Sequence, residues 1–69
     1  MKLSARNQIK GKVVKITPGV VNSEIIVEIA AGQQIVSIIT KTSAEALKLA
    51  VGKEVYAVIK SSEVMIAVD

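Results

Sequence analysis

Gln34-Ile35-Val36-Ser37-Ile38-Ile39-Thr40 runs straight into Lys41-Thr42-Ser43-Ala44-Glu45-Ala46-Leu47, and the change of pattern between them decides the fold. In the first half Ile35, Ser37 and Ile39 alternate with Val36 and Ile38, which predicts a third strand over Gln34–Thr40 that is covered on both faces. In the second half Thr42 and Glu45 have capping-box spacing, and Ala44, Ala46, Leu47 and Lys48 are good helix formers, so a short helix of about two turns follows. Gly52 stands where such a helix would stop.

Upstream, a first strand is expected from Asn7 to Thr17. Its inward set shifts from Ile9, Gly11 and Val13 to Val14 and Ile16, a change of phase near Val13 that predicts a β-bulge or sharp bend. Pro18-Gly19 signals a turn, and a second strand from Val20 to Ala30 points Ile25, Val27 and Ile29 one way and Glu24 and Glu28 the other. Those two glutamates read as a solvated face. Ala31-Gly32-Gln33 makes the next turn. Downstream, a fourth strand over Glu54–Ser61 and a fifth over Val64–Val68 are joined by Ser62-Glu63, short enough for a hairpin. Val and Ile supply 21 of 69 residues and Leu only three, as a pleated surface prefers. The reading is all-β: a small five-stranded OB-like barrel with one short helix between strands 3 and 4.

Residues 1–69 make one domain, and at this size a chain buries only about 60% of the surface it exposes when unfolded. With no cysteine to form a disulfide and no histidine for a structural zinc site, self-association is the remaining supplement to a small core. An apolar fraction of 51% points the same way, because a barrel of this length does not hide that much Val and Ile alone. No apolar run reaches the roughly 18 residues of a membrane span, and none near the start resembles a secretion signal. The net charge of +3 comes from eight lysines and one arginine scattered among six acids, a mild bias toward an anionic partner. The absence of histidine and cysteine, with acids spread singly, argues against an enzyme.

Two polar clusters interrupt this apolar body: Ser4-Ala5-Arg6-Asn7-Gln8 near one end and Lys60-Ser61-Ser62 near the other. A guanidinium, an ammonium and several hydroxyls, with no acid or aromatic among them, suit a compact oxyanion held by charge-assisted hydrogen bonds. Two positive charges also match a tetrahedral dianion, which lowers the cost of enclosing it. Thr40, Thr42 and Ser43 precede the helix, whose first N–H groups are unpaired. Thr42 is expected to be the cap, while capping, solvent and ligand all stay open for Thr40 and Ser43.

The runs Ser4-Ala-Arg-Asn-Gln8, Lys10-Gly-Lys-Val-Val14, Gly19-Val-Val-Asn-Ser-Glu24, Ile39-Thr-x-x-Ser43 and Val58-x-Lys-Ser-Ser-x-Val-Met65 resemble the molbindins. These are small cytoplasmic molybdate-binding proteins built of one Mop (TOBE-type) domain, also described as molybdenum-pterin-binding proteins. The resemblance covers essentially the whole chain. It implies a hexamer, a trimer of dimers, with molybdate or tungstate bound between subunits and a role in molybdenum storage and homeostasis. Carried over position by position, Ser4, Arg6, Lys60 and Ser61 come from one subunit, with the backbone N–H near Ala5 as a further donor, and Thr40 and Ser43 come from its neighbour. The residues alone suit sulfate, molybdate or tungstate; the resemblance selects molybdenum.

A nucleic-acid-binding OB module is the rival from another class, but Tyr56 is the only aromatic on which a base could stack, so no nucleic-acid partner is expected. Pterin binding meets the same objection. A molybdate-sensing module acting on a protein partner is the third reading.

Overall fold

The computed structural model describes residues 1–69. Four strands, β1 (Asn7–Pro18), β2 (Asn22–Glu28), β3 (Gln34–Thr40) and β4 (Glu54–Ile59), form one antiparallel sheet in the order β3-β2-β1-β4. One helix, α1 (Lys41–Ala46), lies between β3 and β4, and a 3-10 turn over Ser61–Glu63 follows β4.

β1 holds the sheet together because it serves two partners in succession. Asn7 to Lys12 pair with β4 and Lys12 to Pro18 pair with β2, so Lys12 stands opposite both Glu54 and Glu28. Just past this handover the register with β2 slips between Val13 and Lys15. This is the bulge expected from the phase change, and it lets the strand curl so that Val13 and Ile16 both reach the interior. Gly11 sits where β1 and β2 pass closely: a Cβ there would lie 2.6 Å from the Glu28 carbonyl oxygen and 2.7 Å from Val27 Cγ1. The β2–β3 hairpin closes through Ala31 and Gly32, with φ of 49° and 78°. Gln33 N–H donates to the Ala30 carbonyl across them, the two-residue turn whose twist matches the strands.

The curled sheet buries Val13, Ile25 and Val27 on its concave side, and Ile16, Ile29, Ile39, Leu49 and Val55 pack around them. Only five residues of the chain are buried. The chain forms part of a barrel wall and leaves an apolar groove between its two outer strands, β3 and β4.

Four expectations need correction, the first being that β3 is covered on both faces: Val36 and Ile38 are 59% and 66% exposed on its outer side. The fifth strand does not form: Val64–Val68 has no strand partner, and no backbone hydrogen bond involves Met65–Asp69. β4 ends at Ile59 and the 3-10 turn leads the chain away before a hairpin can close. α1 is capped by Thr40 and not by Thr42, because the pairing of Thr40 with Asn22 holds β3 in register to that residue and the helix starts immediately after it. α1 has about the expected length but ends at Ala46 and not at Gly52: Lys48 turns left-handed (φ 53°) and Lys53 Nζ donates to the carbonyls of Leu47 (2.7 Å) and Lys48 (3.3 Å). Gly52 belongs to the turn that follows.

Candidate functional site

The antiparallel pairing of β1 with β4 ends at Asn7 opposite Ile59. Just beyond that last pair Arg6 and Lys60 line the same space, so residues more than fifty apart in the chain become neighbours. Ser4, Ala5, Arg6, Lys60, Ser61 and Ser62 line one open depression with Val58 at its side. Ser4 and Arg6 lie in bends before β1 instead of extending it, and still face the same space. Gln8 Nε2 donates to the Ala5 carbonyl at 2.9 Å and holds the bend in shape. The depression contains two cationic side chains, three serine hydroxyls and no acid. Its potential is therefore positive, and the side chains of Ser4, Arg6, Lys60, Ser61 and Ser62 donate to no protein acceptor.

Thr40 and Ser43 lie elsewhere. Thr40 Oγ1 accepts from the Ser43 backbone N–H at 3.0 Å and donates to Ser43 Oγ at 2.8 Å, a closed cap at the start of α1. The backbone N–H of Lys41 donates to the Val21 carbonyl and ties this cap to the β1–β2 turn. That turn is at the Pro18 end of β1, whereas Arg6 and Lys60 are at the Asn7 end. At roughly 3.3 Å per residue the 12 residues of β1 put on the order of 35 Å of strand between the two groups. One tetrahedral ion, with hydrogen bonds of about 3 Å, does not touch both groups of a single copy.

Of the residues expected to bind an anion, Ser4, Ala5, Arg6, Lys60 and Ser61 are thus brought together, and Thr40 and Ser43 are not. Ser62 and Val58 join the first group without having been counted in it. Ser62 had a signal, its place beside Lys60 and Ser61, and Val58 had a weaker one, since alternation along β4 puts it on the exposed face with Glu54 and Tyr56.

The other charged groups are engaged differently. Lys10 Nζ lies 3.1 Å from Glu54 Oε2, and this hydrogen bond, with the charges of Glu54 and Tyr56, raises the Lys10 pKa above its ordinary 10.5. No three His, Cys, Asp or Glu side chains gather where they could hold a bare metal ion. No helix is long and apolar enough to cross a membrane.

Comparison with known proteins follows these features along the chain. The TOBE domain model matches residues 3–66. Molybdenum-pterin-binding protein 1 of Clostridium pasteurianum is 53% identical over 66 residues, covering 96% of this chain and 97% of that protein. The solved structure of MopII from Clostridium pasteurianum superposes with a TM-score of 0.91 at 51% identity, over 97% of this chain and all of that one. The cytoplasmic molybdate-binding protein ModG, solved with molybdate bound, gives a TM-score of 0.83 at 44% identity over 88% of this chain and 43% of its own.

Proposed function

The chain belongs to the TOBE-domain family, and on that premise we propose that it binds molybdate between copies of itself and serves molybdenum storage and homeostasis in the cytoplasm. The observation that carries this reading is the depression at the ends of β1 and β4: Arg6, Lys60 and a set of serine hydroxyls around an acid-free space, suited to a tetrahedral dianion. Ser4, the Ala5 N–H, Arg6, Lys60 and Ser61 hold the ion from one subunit, and Thr40 and Ser43 approach from the next. The separation of these two groups along β1 supports a site that one copy leaves incomplete. Tungstate, also a tetrahedral dianion, occupies the same site. The assembly is a hexamer, arranged as a trimer of dimers. The role is binding, with no catalytic step.

Elemental analysis of the purified protein for Mo and W, followed by calorimetric titration with molybdate and sulfate, tests the ligand. Saturable molybdate binding that sulfate does not match is expected, and the absence of any molybdate uptake overturns the reading. Co-refolding tests the sharing. Arg6→Ala and Ser43→Ala each impair every site in their own homo-oligomer, but in mixed dimers one site carries both lesions and the other neither. A fraction of sites should regain wild-type affinity on mixing. None regained, with mixed oligomers confirmed by mass, means that each site is built within one chain.

A further inference from the structure

Ser23 breaks a rule that the rest of its strand keeps. Along β2 the inward positions are Ser23, Ile25 and Val27, all three buried, and the first carries a hydroxyl where the other two carry aliphatic groups. Ser23 is 3% exposed, and its side chain makes no hydrogen bond to the protein. A hydroxyl taken from water without a partner costs stability that alanine or valine at the same position would keep. No fully enclosed side-chain oxygen or nitrogen of the chain lacks a partner, so the little surface that Ser23 retains includes its Oγ.

That surface opens onto a depression of about 340 Å³ at the Pro18 end of β1, away from Arg6 and Lys60. Pro18, which pairs with Ser23, makes an apolar floor with Ile16 and Leu49, while α1 contributes Lys41 and Glu45 and the turn after it contributes Lys48. The chain's one ion pair joins Lys10 to Glu54, so Lys41, Glu45 and Lys48 stand unpaired around the opening. An apolar floor with a few convergent polar groups, at a volume within the roughly 300 to 1,000 Å³ of such sites, is the form of a small-molecule pocket. Two ammonium groups and one carboxylate leave a charge of +1 there, against +2 with no acid around the depression at Arg6 and Lys60. The first suits a monoanion, because Glu45 repels a second negative charge.

We propose that this second depression binds a small organic monoanion: a carboxylate between Lys41 and Lys48, an apolar body against Ile16, Pro18 and Leu49, and a hydroxyl that shares a hydrogen bond with Ser23 Oγ. Each part of that ligand answers one feature of the site. The serine hydroxyl both donates and accepts, so it pairs with a ligand hydroxyl in either sense. Ser23 then finds its partner in the occupied protein, which accounts for a serine in a row of core positions. All of these residues belong to one copy of the chain, and the inference goes beyond molybdate binding and stands without it.

Amide NMR titration of the isotope-labelled full chain with 4-hydroxybenzoate, benzoate and phenol, in excess molybdate, separates these contributions. 4-Hydroxybenzoate should give saturable shifts at Ser23, Lys41, Glu45 and Lys48. Its affinity should be about tenfold above that of benzoate, which lacks the hydroxyl, and of phenol, which lacks the charge. Ser23→Ala should bring 4-hydroxybenzoate down to the affinity of benzoate and leave benzoate unchanged. Lys41→Gln, at an exposed position, should weaken both carboxylates and not phenol, and it decides the matter if the serine variant fails to fold. Equal affinity for all three compounds overturns the proposal, since it means apolar adhesion alone. So do shifts confined to Arg6, Lys60 and Ser61, a hydroxyl preference that survives Ser23→Ala, and the absence of any saturable shift.

Discussion

The two ends of β1 carry similar polar chemistry and are finished in opposite ways. At the Pro18 end, Thr40 and Ser43 use their hydroxyls on each other and on a helix N–H, so the local polar groups are satisfied by the chain itself. At the Asn7 end, Arg6, Lys60, Ser61 and Ser62 gather around open space with no acid among them. The difference separates a group whose hydroxyls already have partners within one copy from one whose like charges bring no stability until an anion arrives. Substitutions at the cationic end should therefore affect binding alone, and those at the capped end should affect the stability of the single copy as well as the shared site.

The largest effect is expected at the cationic end. Arg6→Ala and Lys60→Ala should each weaken molybdate binding by about 1.5 to 3 kcal/mol, the range for a hydrogen bond to a charged group, with the melting temperature unchanged or slightly raised. A fall in melting temperature without loss of affinity would show that these cations are structural and erase the contrast. At the capped end the order reverses. Thr40→Ala should lower unfolding stability by about 1 kcal/mol, within the range of 0.5 to 2 for loss of a cap, whereas Thr40→Ser should keep most of it. Denaturant titration reads both.

A smaller effect is expected from pH. The depression contains no histidine or cysteine, so molybdate affinity should vary less than tenfold between about pH 6.5 and 8.5. A steeper change in calorimetric titrations across that window would reveal a titrating group at one of the two ends. The smallest effect lies between them, at the middle of β1. Glu54→Gln should return the raised Lys10 pKa toward 10.5. Because the folded value is the higher one, whatever stability the pair contributes is present below pH 10.5 and fades as pH climbs through the raised value. Near neutral pH the melting temperature should scarcely move on substitution of so exposed a pair, and NMR titration of Lys10 Nζ is the sensitive measurement.

Much of this was legible in the chain, for identifiable reasons. Alternation located β1 to β4, and the phase change near Val13 announced the bulge because a side-chain period of two records any extra residue. The cation cluster was legible as chemistry but not as geometry: only the register of Asn7 with Ile59 places Arg6 beside Lys60, and periodicity carries no register. The cap was assigned to Thr42 because Thr42 and Glu45 fit the usual spacing, yet pairing with Asn22 extends β3 to Thr40 and makes that residue the boundary. A fifth strand was expected from the alternation of Val64–Val68, but the chain turns through the 3-10 segment after Ile59 and that stretch has no strand partner.

Gly11 has a consequence for which substitutions the chain tolerates. A methyl group there would meet the backbone of β2 at 2.6 Å, so even alanine requires β1 and β2 to part at the handover on which the sheet depends. Gly32 is glycine for a different reason, since its φ of 78° is demanding while nothing lies within 4 Å of where a Cβ would be. In a library covering every single substitution, position 32 should still admit asparagine, whereas position 11 should be blank from alanine to tryptophan. That blank column would mark, from survival counts alone, the point where the two halves of the sheet are joined.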